Sequence, residues 1–152
     1  MGVNDCAFCQ IINREIPAEV IYETATTLAF FPLEPATHGH TLVIPKQHVE
    51  NFLELAPADI PELGMSVLRV GQALRAVLAP EGMNLISSAG EAASQTVMHL
   101  HVHLVPRWTN DAVGEIWPPK VPTPEHVLES VADAIRKFCR TEALDHRNPE
   151  QE

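Results

Sequence analysis

The 152-residue chain is predicted to fold as an α+β domain, on three observations. Short runs rich in β-branched and aromatic residues stand in hairpin order near its start. One long stretch repeats apolar residues at steps of three and four. Further on, His99-Leu100-His101-Val102-His103 alternates imidazole with apolar side chain at period two, the mark of a half-buried strand. No regular strand–helix–strand alternation argues for a parallel sheet.

Taken in order, Cys9–Arg14 reads as a short helix. Val20–Glu23 and Thr27–Phe31 form a hairpin across Thr24-Ala25-Thr26. Thr41–Ile44 is a short strand entered by a turn at Gly39 and stopped by Pro45. A long helix follows, its stripe made by Ile60, Leu63, Val67, Val70, Leu74, Val77 and Leu78. Pro57 fits its first turn, and Pro80 with Gly82 ends it. Met83–Ile86 is a strand, Ser87–Ser94 a loop of small residues, and Thr96–Val105 the histidine strand. The chain is then irregular from Trp108 through Trp117 to Pro122. Thr123 caps a last helix with Pro124 at its first position. Val127, Leu128, Val131, Ile135 and Phe138 are its expected buried face, with Cys139 a core thiol beside them. The organisation expected is one domain, 1–144, and a polar C-terminal tail, 145–152.

Composition narrows the function. The chain is 45% hydrophobic and 20% charged, with a formal charge of −10 and no run of Lys or Arg. A groove for a nucleic-acid polymer needs a basic footprint and is not expected; one local site for a small phosphate ester is compatible with this charge. No apolar run approaches the ~18 residues of a membrane span. Met1-Gly2-Val3-Asn4-Asp5 lacks the basic and apolar regions of a signal peptide. Three cysteines, an odd number, suit a reducing cytoplasm better than a disulfide framework.

The chemistry concentrates in the histidine run. On an extended strand its imidazoles lie on one face, roughly 6–7 Å apart, while Leu100, Val102 and Leu104 enter a core. Such a row can attack phosphorus, bind a metal or carry protons near neutral pH. A strand surface merely rich in histidine is the weaker explanation, because Thr, Lys or Glu normally occupy such positions.

Several blocks in order give this run a context: Cys6-Ala7-Phe8-Cys9-Gln10-Ile11-Ile12, Glu15-Ile16-Pro17-Ala18, Gly39-His40-Thr41-Leu42-Val43-Ile44-Pro45-Lys46-Gln47-His48, and Gln95-Thr96-Val97 before the histidines. Together they resemble the histidine-triad (HIT) nucleotide-binding family, most closely its Hint-like bacterial branch. The resemblance covers most of the chain up to Arg107. It implies the HIT fold: a five-stranded antiparallel sheet, a long central helix and a C-terminal helix, with two copies pairing into a homodimer with a ten-stranded sheet. It also implies a nucleotidyl hydrolase or transferase acting at the α-phosphorus of nucleoside phosphoramidates, adenylates or dinucleoside polyphosphates. The partner is then a purine nucleotide or nucleotide conjugate. His101 maps onto the nucleophile, which forms a covalent nucleotidyl-histidine before a nucleoside monophosphate is released, and His103 onto a contact with the phosphate oxygens. Ser88, Ser94, Gln95 and Thr96 offer polar groups to the substrate, and His40 borders the site. His38 matches nothing and is expected to be an exposed loop residue. Cys6, Cys9, His48 and His99 match a structural Cys2His2 zinc site of bacterial members, which would pin the N-terminal segment to the sheet.

Two departures bear on substrate choice. Pro32 stands where relatives commonly carry a ribose-binding aspartate, with Glu34 a nearby substitute, and Ser88 and Ser94 replace a usual asparagine and glycine. Two other readings follow from the residues: a hydrolase with a catalytic zinc among His99, His101 and His103, and a nucleotide-binding sensor without turnover.

Overall fold

The computed structural model describes residues 5–117 and 119–145. Strands β1 (Val20–Glu23), β2 (Thr27–Phe30), β3 (Thr41–Pro45), β4 (Gly82–Ile86) and β5 (Val102–Arg107) form one sheet in the order β1-β2-β3-β5-β4. Every pairing is antiparallel, as the α+β expectation requires. The helices are α1 (Ala7–Ile12), α2 (Ile60–Leu78) and α3 (Glu125–Asp145). The chain divides into two compact units, 1–114 and 115–152.

Two apolar clusters cover the faces of the sheet. On one, Leu63, Val67, Val70 and Leu74 of α2 pack with Ala29, Val43, Leu100, Val102 and Leu104. The three- and four-residue spacing that predicts this helix is thus the spacing of its buried face. Within the expected stripe Ile60 and Val77 are exposed, while Leu78 is partly buried against the core. Pro57 belongs to a separate 3₁₀ turn, Pro57–Asp59, and Pro61 occupies the first turn of α2 instead. On the other face, Phe8 with Cys6 and Cys9 packs against Leu28, Phe30, Leu42 and Ile44.

The histidine strand is shorter than its alternation predicts. β5 begins at Val102, paired with Val43, so only His103 of the three histidines lies in a strand. Before it the backbone finds other partners. The His99 N–H donates to the Val97 carbonyl, 2.8 Å, and the Leu100 N–H to the Val49 carbonyl, 2.6 Å. A bond that closes over two residues bends the chain out of the ladder. The apolar half of the alternation holds nonetheless, since Leu100, Val102 and Leu104 are all buried.

The final helix corrects a further expectation. α3 starts at Glu125, one residue beyond Pro124, whose carbonyl accepts from the Val127 and Leu128 amides. Its expected buried face is exposed, from Val127 at 39% to Phe138 at 66%, and Cys139 is exposed rather than a core thiol. The unit 115–152 has no second described element of its own against which a helix could bury that stripe. The helix is described as far as Asp145, and the rest of the expected tail lies outside the described residues.

β5 ends in a polar knot. The Arg107 guanidinium forks onto Asp111 at 2.6 and 2.9 Å, and also donates to Asn84 Oδ1 in β4 and to the Gly114 carbonyl. Asp111 in turn accepts from the Trp108 and Val113 amides, and the Arg107 bonds hold its carboxyl down at about 2. Arg107→Lys keeps the charge and loses the planar fork. Limited proteolysis between 108 and 114 is expected to become several-fold faster while far-UV circular dichroism stays unchanged; an unaltered cleavage rate would show that the fork does not hold this loop.

Candidate active site and metal centre

Four ligand atoms meet where α1, the turn after β3 and the approach to β5 converge. Cys6 Sγ lies 3.5 Å from His99 Nδ1, and Cys9 Sγ lies 3.3 Å from His48 Nδ1 and 3.6 Å from His99 Nδ1. All four atoms are within 4.8 Å of one another. Tetrahedral zinc, with Zn–S near 2.3 Å and Zn–N near 2.1 Å, sets sulfur and nitrogen ligands about 3.6 Å apart. The spacing therefore fits a four-coordinate ion. The local tautomer fits as well. His99 is completely buried, and its Nε2–H donates to the Pro45 carbonyl at 2.9 Å, which leaves the Nδ1 lone pair facing the sulfurs. In the absence of a cation, burial and the neighbouring Cys6 push the Cys9 thiol up to about 11; a bound metal would favour the thiolates instead.

The second centre starts one turn of the backbone away. His101, 5% exposed, donates from Nδ1 to the His99 carbonyl at 2.7 Å. That carbonyl accepts only, so the proton is fixed on Nδ1 and Nε2 keeps its lone pair. Nε2 has no protein partner, and no buried side-chain nitrogen or oxygen among the described residues lacks one. It is therefore open to an incoming group. The Ser87 hydroxyl donates to the carbonyl of His101 itself at 2.9 Å, tying the residue to the end of β4.

A backbone amide sets the tautomers of the next two rings. The Ala36 N–H donates to His40 Nδ1 at 3.0 Å, so His40 carries its proton on Nε2. That Nε2–H donates to His103 Nδ1 at 2.9 Å, which places the proton of His103 on its own Nε2. The His101 and His103 rings stand 4.8 Å apart between centroids, at 71°. One free lone pair is thus paired with one N–H donor on an adjacent ring.

Burial, with His101 and His40 alongside, pulls His103 down to about 4, and burial also lowers His40. The unfolded chain binds these protons more readily, so stability rises with pH between the folded and unfolded values. The melting temperature is expected to be flat above pH 7 and to fall from about pH 6.5 toward about 4. A flat profile across that window, measured with His103→Gln beside it, would remove His103 as the cause.

The other sequence-predicted residues divide. Ser88 is half-buried, Ser94 and Thr96 are exposed, and none of their hydroxyls is engaged within the chain. Gln95 is different: its amide donates to the Glu50 and Val97 carbonyls and accepts from the Gly90 N–H. It fastens the loop and presents no free amide. His38 is exposed, as expected. The three triad imidazoles do not converge on one ion, because His99 Nδ1 faces the sulfurs while His101 Nδ1 is held by a carbonyl. That geometry removes the reading of a catalytic zinc among them. Sequence reasoning missed the Ala36 amide and the Pro45 carbonyl, since backbone groups leave no residue signature; Ser87 and Phe8 it saw only as parts of a loop and of a block.

Residues 13–110 match the family model of the HIT domain. The chain belongs to the HIT family. The crystal structure of SMU.412c from Streptococcus mutans UA159 superposes with a TM-score of 0.84 at 38% identity, covering 91% of this chain and 87% of that one. A zinc-bound histidine-triad protein from Mycobacterium smegmatis gives 0.69 at 36% identity, over 78% and 86% of the two chains. The Schizosaccharomyces pombe adenosine 5'-monophosphoramidase is 34% identical over 123 residues, 80% of this HIT protein and 90% of the yeast one. The five-stranded antiparallel sheet with its helices is the HIT fold, and the Cys6, Cys9, His48 and His99 group is one able to hold a metal ion.

Proposed function

We propose that this HIT protein is a nucleotidyl hydrolase or transferase in which His101 is the nucleophile. The observation that carries the reading is the pairing of an unengaged Nε2 on His101 with an outward Nε2–H on His103. His101 Nε2 attacks the α-phosphorus of a nucleoside phosphoramidate, adenylate or dinucleoside polyphosphate. As the nitrogen–phosphorus bond forms, the leaving group departs with the electron pair of its bond to phosphorus and takes a proton from solvent. Water then attacks phosphorus, the Nε2–P bond breaks with its pair returning to nitrogen, and the water releases its second proton. The products are a nucleoside monophosphate and the protonated leaving group. Dividing one displacement into two lowers each barrier. His103 donates to the phosphate oxygens, where charge develops, while the His99 carbonyl steadies the cationic imidazolium of the intermediate. Ser88, Ser94 and Thr96 supply further hydroxyls, and His40 keeps His103 in its donor tautomer.

The yeast relative's name supports a phosphoramidate as substrate class. Zinc, held by Cys6, Cys9, His48 and His99, takes a structural part: a closed four-ligand site has no open position for a substrate. A homodimer that pairs two sheets edge to edge into one of ten strands removes an unpaired strand, and three free cysteines suit a reducing cytoplasm.

Intact-mass spectrometry with an adenosine phosphoramidate tests the reading. A transient adenylyl adduct on His101 with released AMP is the expected result. AMP binding without adduct or turnover, over a panel of adenosine and guanosine substrates, points to a nucleotide sensor instead.

A further inference from the structure

Phe8 lies between Cys6 and Cys9 in sequence and touches both centres in space. Its ring meets His99 edge-on at 5.8 Å between centroids and 71°, and His101 at 5.3 Å and 82°. Phe30 of β2 backs it at 5.6 Å and 73°. The ring is 8% exposed. His101 is therefore held by two groups that both come from the metal centre: the carbonyl of the ligand His99, and a ring carried between the two cysteine ligands.

The second torsion of a histidine is broad and roughly two-fold, so one hydrogen bond alone restrains it loosely. The Phe8 ring stands edge-to-face against His101, in the space that ring would need to turn away from the His99 carbonyl. α1 has six residues, and Cys6 before it makes no side-chain capping bond, so Phe8 is placed by its packing on Leu28, Phe30, Leu42 and Ile44 and by the cysteines on either side of it. Two cysteines bound to one ion with His48 and His99 would fix it.

We infer that Phe8 is a positioning residue for His101, and that occupancy of the Cys6–Cys9–His48–His99 centre sets the reactivity of the nucleophile through it. The centre is thereby more than a staple. Losing the ion frees the α1 end, lets Phe8 leave the His101 ring and misaligns Nε2 without removing any group that touches substrate.

The inference rests on His101 being the nucleophile, and the experiment separates the two. In a Cys139→Ser background, which removes the exposed thiol, Phe8→Leu, Phe8→Tyr and chelator-stripped protein are compared with the zinc-loaded parent. Three readings are taken: the single-turnover rate of adduct formation, AMP affinity, and the hydrogen-bonded Nδ1–H signal of His101 by NMR. Misplacing a reacting atom by about 1 Å costs about 100-fold in rate. Expected is a fall of about 10- to 100-fold in adduct formation for Phe8→Leu and for stripped protein, with AMP affinity within a few-fold and the Nδ1–H signal broadened or lost. Phe8→Tyr and zinc restored to stripped protein should both recover rate and signal. Adduct formation at the parental rate in zinc-loaded Phe8→Leu, or in stripped protein that is still folded, overturns the inference alone. No adduct in the zinc-loaded parent overturns the reading of His101 and this inference with it.

Discussion

Alanine at position 101 is expected to abolish nucleotidyl transfer, lowering turnover by at least about 10,000-fold, the scale seen when a covalent nucleophile is removed. No neighbour can replace it. His99 has Nε2 on the Pro45 carbonyl and Nδ1 among the sulfurs. His40 is engaged at both nitrogens, and His103 has its proton on the nitrogen that would have to attack. His103→Ala removes a donor and leaves the lone pair, so a smaller loss of about 100-fold is expected, in the range for one donor to a developing oxyanion. Both variants should bind AMP within a few-fold of the parent. Steady-state kinetics on an adenosine phosphoramidate, with intact mass beside it, distinguishes them. His101→Ala keeping a tenth of parental turnover would end the covalent reading.

Removing the metal is expected to lower the melting temperature by about 6–20 °C. The four ligands come from the N-terminus, the turn after β3 and the approach to β5, so one ion joins segments far apart in sequence. Structural zinc supplies about 10–16 kcal/mol to peptides with no other core. Here α1 also packs through Phe8, Ile11 and Ile12, so the ion's share is smaller, about 3–5 kcal/mol. At about 2–4 °C per kcal/mol for a chain of this size, that gives the stated shift. Thermal unfolding before and after chelation, with zinc restored and metal content measured, checks it; Cys9→Ala should reproduce the loss and not respond to zinc. A melting temperature indifferent to chelation in protein shown to have carried zinc would refute the structural role.

Much of this was legible in the sequence because period and spacing are local. The α2 stripe, the hairpin of β1 and β2, and the burial of Leu100, Val102 and Leu104 all follow from side-chain order. The grouping of Cys6, Cys9, His48 and His99 came from resemblance, and the distances agree with it. What periodicity could not give was where the ladder stops. Alternation continues through His99 and His101, but the backbone amides of His99 and Leu100 bond to the Val97 and Val49 carbonyls, choices made by the loops and not by the strand. The same limit explains Gln95, whose amide is occupied by backbone groups, those of Gly90 and Val97 close by and that of Glu50 distant in sequence. The apolar face of α3 was read correctly as a stripe and wrongly as buried, because amphipathicity states that a cover is needed without supplying it.

The bond from the Ala36 amide to His40 has one more consequence. Imidazoles are interchangeable as donors and acceptors, so a row of them ordinarily conducts in both senses. A peptide N–H cannot reverse its role. Anchoring the row on one therefore gives it a polarity, with the hydrogen at the far end always facing outward. The site behaves as a rectifier: it can lend a hydrogen to an oxygen arriving at His103, and it has no path by which that oxygen's own hydrogen could travel inward.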